Sequence, residues 1–298
     1  MRQAASPSTG ARYGLARVCR VWEIARSTIY AQRQRQGQPP RPPGRRGPRT
    51  AISDEMLTDA IRQTLAMSPF VGEGYRKAWA RLRMAGIRTS KRRALRVMRE
   101  ANLLAPTRAG DPHGPKAHDG TIVTDTPDEM WAIDLTSTVT QHQGTASVFV
   151  LVDHCTTECL GLHATRRATR FEAIEPLRQA VKDIFDAYNE SAALGVSLRH
   201  DHGSQFLSDH FQRELAFLGI TSSPAFVREP QGNGCVERFI RTLKEQLLWI
   251  RHFETLDDLQ AALQEFRHRY NTSWLVERHG FISPAAARQR LTGLPAAA

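Results

Sequence analysis

The chain has 298 residues, with 41 Lys and Arg against 30 Asp and Glu, a formal net charge of +11. That length holds about two domains, and the cationic excess favours a polyanionic partner. No apolar run matches a transmembrane helix and the start lacks a secretory pattern, which excludes a membrane-spanning reading and predicts a cytoplasmic, reduced protein with no membrane partner. The charge is unevenly placed. Residues 1–118 carry 24 Lys or Arg against 7 Asp or Glu, a net +17, whereas residues 119–298 carry 17 against 23, a net −6. A phosphate-tracking front part followed by a locally acidic catalytic part fits this split.

In chain order, residues 1–32 read as a short helical, helix-turn-helix-like segment, with Leu15, Val18, Cys19, Trp22 and Ile24 at helical spacing and Ser27 as N-cap of a second helix. Residues 33–50 hold six Arg, five Pro, three Gly and no acid, a composition that cannot pack a core and predicts an extended basic linker. Residues 51–105 read as a second helical set. Met56, Leu57, Ile61 and Leu65 form the stripe of its first helix, Trp79 and Leu82 meet on the second, and Ser90 caps a third. Lys91, Arg92 and Arg93 stand in the first turn of that third helix. There they oppose the macrodipole, so an external anion becomes a natural partner, as in a helix-turn-helix whose last helix enters the major groove.

Residues 106–126 form a second linker, rich in Gly, Pro and His, and the sequence then changes period. Met130 to Thr138 alternates, placing Trp131, Ile133 and Leu135 on one face and Ala132, Asp134 and Thr136 on the other. Ser147 to Val152 and Cys159 to Ala164 complete an antiparallel meander with a hairpin near Gln143-Gly144. Thr169 to Glu172 reads as a capping box opening a helix to about Tyr188. Strands at Val196–Arg199 and Ile220–Ser223 flank a helix from Ser208 to Leu218. The result is an α/β domain over residues 127–290, a mixed five-stranded sheet with helices on both faces, followed by a tail at 291–298. His113, His118, Cys155 and Cys159 lack the spacing of a tetrahedral zinc site.

Three acids stand out. Asp134 interrupts an apolar strand, Asp201 follows the fourth strand after 66 intervening residues, and Glu237 opens an amphipathic helix 35 residues further on. In an open mixed sheet the first and fourth strands can be neighbours, which brings the two Asp to a carboxyl end where ligands bind. Three hard carboxylates suit two Mg²⁺ ions, or Mn²⁺ in their place, on either side of a scissile phosphate, with Asp134 shared by both ions. On the Glu237 helix, Arg241 and Lys244 share the acid's face, while Phe239, Leu243, Leu247 and Ile250 form the core stripe. Lys244 and Arg241 are therefore expected to contact DNA. Asn233 is a turn residue first and a DNA contact second, and the roles of His200 and His202 stay open.

At these positions the sequence resembles bacterial insertion-sequence transposases with a retroviral-integrase-type catalytic core. The resemblance runs through Trp131–Thr136, through His200–Phe206, and through Asn233, Gly234, Glu237, Arg238, Thr242, Leu243, Lys244 and Glu245. It continues in Tyr270-Asn271, His279-Gly280-Phe281 and Ser283-Pro284, and upstream in Tyr75-Arg76, Leu82, Gly86 and Arg96–Glu100. It implies a ribonuclease H-like fold and a metal-dependent DDE polynucleotidyl transferase that cleaves and joins strands at element ends. The implied partners are DNA, both ends and target, further copies of the chain, and the product of an upstream reading frame. His202 and the stretch Ala225–Pro230 depart from the usual pattern. A non-transposing DNA-binding regulator is the alternative reading.

Overall fold

A computed structural model describes residues 4–36, 51–106, 124–225 and 233–293. Most of both expected linkers, and most of Ala225–Pro230, lie outside them. Two compact units emerge, Met1–Ala51 and Ile52–Ala298.

The first unit contains α1 (Leu15–Val21) and α2 (Arg26–Arg35). Ser27 does not cap α2. The helix starts one residue before it, at Arg26 with Ala25 as N-cap, and Ser27 falls in the first turn. Cys19 is buried, whereas Trp22, expected on the same stripe, is 55% exposed because α1 has already ended.

The second unit begins with α3 (Asp54–Ala66), α4 (Tyr75–Met84) and α5 (Lys91–Glu100). Ser90 caps α5 as expected and Ser53 caps α3, each hydroxyl accepting from the amide three residues on, Arg93 at 3.1 Å and Met56 at 3.2 Å. Leu57, Ile61, Ala78, Leu82, Val97 and Met98 close a small core. Met56 is exposed instead, since only Leu57, Ile61 and Leu65 keep the four-residue spacing of a single face.

The sheet comprises β1 (Met130–Thr140), β2 (Gly144–Asp153), β3 (Cys159–Thr165), β4 (Ser197–His200) and β5 (Thr221–Pro224), ordered β3-β2-β1-β4-β5. β1, β2 and β3 form the antiparallel meander, with Gly144 at positive φ in the hairpin. β4 joins β1 in parallel and β5 joins β4 in parallel. The alternation along β1 distributes its side chains as read from the sequence. Trp131 and Ile133 pack with α6 (Glu175–Phe185), α7 (Ser204–Leu207) and α8 (Asp209–Leu218). Ala132 packs on the opposite face with α9 (Gly234–Leu243) and α10 (Leu256–Ser273). The capping box before α6 forms by half. Thr169 accepts from the Glu172 amide, but the Glu172 carboxylate turns to His163, and a single 3-10 turn precedes the helix.

After α9 the chain makes one π-helical turn, Lys244–Leu248. A π turn inserts about one residue into the repeat. Leu247 therefore stays buried, whereas Ile250, expected on the core stripe, is exposed. The π turn also buries Gln246, whose amide accepts from the Val71 amide and donates to the Val71 carbonyl, both at 2.9 Å. Phe70 packs edge-on against Trp274 after α10, and Trp79 meets Phe281 beside α11 (Pro284–Thr292), so α3–α5 are docked on the sheet domain. Trp79 serves that contact rather than joining Leu82 in the three-helix core.

Candidate active site

Asp134 sits in the middle of β1, opposite Val150 of β2. The parallel register pairs Ala132 with Arg199, and continuing it brings Asp201, the first residue past β4, level with Asp134. Glu237 lies in the first turn of α9, on the face of the sheet towards which Ala132 and Asp134 point. Asp134 accepts from the Leu135 amide at 2.7 Å, and Asp201 accepts from the Gly203 amide at 2.9 Å in a tight turn.

The electrostatics tie these groups together. Burial lifts the Asp134 carboxyl from its ordinary value to about 6, and the charges of Asp201 and Glu237 push it the same way, while the Leu135 amide and the Lys244 ammonium pull it down. Burial also raises Glu237. A half-buried carboxyl facing two further acids is a site where an external cation relieves repulsion. Among the described residues no three His, Cys, Asp or Glu side chains converge closely enough to hold one ion. Glu237 is exposed at the site's rim and makes no hydrogen bond with a described residue.

The remaining expected contacts fall in different settings. Lys244 acts on Asp134 directly through its charge. Arg241 is half exposed and pairs with Glu245 at 3.0 Å. Asn233 is buried at the N-cap of α9, does not cap it, and its Oδ1 finds no partner among the described residues, so it lines the interior rather than an open surface. On α5, Arg93 is committed inward to Asp54 and the Ile52 carbonyl, both at 2.8 Å. Lys91 lies over the rings of Trp79 and Phe281 and 3.8 Å from Glu277. Arg92 alone of the three is exposed without an ion pair to a described residue.

One positioning group went unread. His200 is fully buried, and burial lowers its pKa, so the ring is neutral. Its Nδ1 donates to the Asp201 carbonyl at 2.7 Å and its Nε2 accepts from the Ser222 hydroxyl at 2.9 Å, tying the Asp201 turn to β5. Its place directly before Asp201 was the available signal.

Two family models, both described as Integrase core domain, match residues 124–230 and 218–284. The chain is 25% identical over 291 residues to the Escherichia coli "Insertion element IS2A uncharacterized 48.2 kDa protein", covering 94% of this chain and 66% of that longer protein. It is 26% identical over 282 residues to Escherichia coli "Transposase InsD for insertion element IS2A/D/F/H/I/K", covering 91% of this chain and 90% of the relative. The crystal structure of the catalytic core domain of BIV integrase is similar over 56% of this chain and 97% of its own, at 21% identity and a TM-score of 0.42. With two core-domain matches running through the strands and the helix that carry the three acids, the chain carries an integrase-type catalytic core and is similar over most of its length to bacterial insertion-sequence transposases.

Proposed function

We propose that the chain cleaves DNA strands at the ends of an insertion sequence and joins them to a target, using Asp134, Asp201 and Glu237 as its DDE set. The supporting observation is electrostatic: one half-buried aspartate in the middle of β1 whose carboxyl rises to about 6, chiefly through burial, with the charges of the other two acids the sequence singles out pushing the same way. The three carboxylates would hold two Mg²⁺ or Mn²⁺ ions, which when bound would supply charge to activate an attacking water or 3′-hydroxyl and to steady the leaving oxygen. The oxygen donors of these carboxylates suit such hard cations.

The chain's own residues do the rest. Lys244 holds the DNA phosphate beside Asp134, a point cation on a flexible stem that follows the backbone without reading bases. Arg241 adds a second phosphate contact by exchanging Glu245 for DNA. His200 fixes the backbone of Asp201 so that its carboxylate is presented in one orientation. Residues 51–105 act as the unit that binds element ends, with Arg92 as the phosphate contact of α5. The active species is an assembly of copies on DNA, with an upstream-frame product as a further partner.

Asp134→Asn, Asp201→Asn and Glu237→Gln test the reading, because an amide keeps the size of the side chain and loses the anionic ligand. Each should abolish Mg²⁺-dependent cleavage and transfer of end oligonucleotides while retaining DNA binding, and the losses should not multiply. Cleavage surviving in any one variant removes that residue from the set.

A further inference from the structure

The catalytic core is acidic in net charge, yet one of its surfaces is strongly basic. β3 runs parallel to β1, so it leaves the sheet at Thr165 at the same end where β4 delivers Asp201. Thr165 is level with Ser147 and Ser137, three residues beyond Asp134 and two strands across. Strand spacing and rise place that exit about 14 Å from Asp134, a distance that about four base pairs of duplex cover.

The turn that follows carries Arg166, Arg167 and Arg170, all exposed. It ends in Phe171, an aromatic ring 54% exposed, with the Arg170 guanidinium 4.9 Å from the ring centroid and the His210 ring 4.7 Å away. His210 and Arg213 stand one turn apart on the outside of α8.

Charge pairing on these elements is lopsided. None of the four arginines forms an ion pair with a described residue, whereas the neighbouring acids are engaged elsewhere. Glu172 is bound to His163, Glu175 to Arg178, and Glu214 to the Tyr188 hydroxyl. Among the described residues at this end of these elements, Asp209 is the acid left against them. Exposed cations left without acids, around an aromatic ring, form a surface for a phosphate backbone.

We propose that this surface, the turn after β3 with Phe171 and the outer face of α8, grips the target duplex during strand transfer. It rests on the reading of the chain as a strand-transferring enzyme. Target rather than element end is the occupant, because exposed arginines of a turn and of a helix's outer face contact phosphates and leave bases unread, which suits a duplex with no fixed sequence better than a defined terminus. The ring, in contact with both Arg170 and His210, orders these side chains and offers an apolar surface to the sugars.

The test uses the full chain carrying Arg166→Gln, Arg167→Gln and Arg170→Gln together, with a short random-sequence duplex and a duplex of the element's own terminal sequence, each titrated over a range of salt. The triple variant should bind the random duplex at least tenfold more weakly, with its log–log salt slope shallower by about 2 to 3. Binding of the terminal duplex should change less than threefold. With Mg²⁺ it should cleave ends at the wild-type rate and transfer them at least tenfold more slowly. Phe171→Ala should weaken the random duplex severalfold without altering the slope. Unchanged binding of the random duplex overturns the proposal, as does an equal loss on both duplexes, which would place the element end here. If wild type fails to cleave at all, the enzymatic reading falls, while the salt slope on the random duplex still decides whether this surface holds DNA.

Discussion

At Asp134 the fold sets a carboxyl where its charged form is disfavoured. A carboxyl raised in the folded state binds its proton more tightly there than in the unfolded chain. Its stabilising contribution is complete below the ordinary value near 4 and is lost as pH rises through about 6. Without divalent cations, Asp134→Asn should therefore be more stable than wild type at pH 8, by up to about 2 to 3 kcal/mol, and the advantage should vanish near pH 4. Adding Mg²⁺ should raise the melting temperature of wild type and leave the variant unmoved. Thermal unfolding at the two pH values, with and without Mg²⁺, checks this, and a variant less stable than wild type at pH 8 without metal contradicts it. Lys244 pulls the same carboxyl down, so Lys244→Ala should shift the acid limb of the cleavage profile to higher pH. It should also slow joining by about tenfold, the loss of one phosphate contact, while calorimetry at pH 8 shows Mg²⁺ bound no more weakly. A fall in metal affinity would make Lys244 a support of the carboxylates instead. The sequence disclosed Asp134 because an acid in an apolar strand is conspicuous, and Glu237 because it opens a strongly amphipathic helix. It did not disclose that Arg93 turns inward to Asp54 or that Asn233 is buried, since both depend on what lies across the packing contact.

Elements with strong periodicity were legible. The alternation of β1, the apolar run of β2, and the serine before α5 each express a local rule, and each took the form expected. What stayed hidden was set by partners distant in sequence. The π turn is one case. Another is the outer edge of β3, whose exposed backbone groups are met by side chains of α10. Gln260 accepts from the Ala164 amide and donates to the Leu162 carbonyl, Gln264 donates to the same carbonyl, and Asn271 bonds both the amide and the carbonyl of Cys159. Three amides spaced along one helix thus stand in for a sixth strand and protect an edge that would otherwise pair with another chain. Asn271→Ala removes two of these bonds and leaves the Cys159 amide buried without a partner, which should cost about 1 to 3 kcal/mol. Denaturant unfolding reads the loss, and hydrogen exchange should localise it to β3. An effect below about 0.5 kcal/mol would mean that water serves the edge equally well.

For the whole molecule, the charge split drew a line near residue 118, and the packing draws its own line near residue 51. Residues 52–106 carry part of the basic excess but are fastened to the sheet domain through Phe70, Trp79 and the ion pairs of Arg76 and Lys91 with Glu277. Composition registers charge along the chain, whereas the boundary follows apolar surface buried between segments, and that is invisible until the partners are known. Removing residues 1–51 should leave the melting temperature of the remainder within about 2 °C. Removing residues 1–123 uncovers Trp274 and Phe281 and should lower it by roughly 5 °C or more, the consequence of losing a few kcal/mol of burial. Equal melting temperatures for the two truncations would show that the docking adds little.

Gln246 grips Val71 from within the helix that carries Glu237 and Lys244. Glu237 and the α3–α5 helices are thus joined by a helical strut about three turns long rather than by a loop. Under the proposed function, a tilt of residues 52–106 on DNA would be delivered to Glu237 at the other end of the strut, and a tightening around the carboxylates would be returned along it, so that cleavage would depend on how those helices are seated.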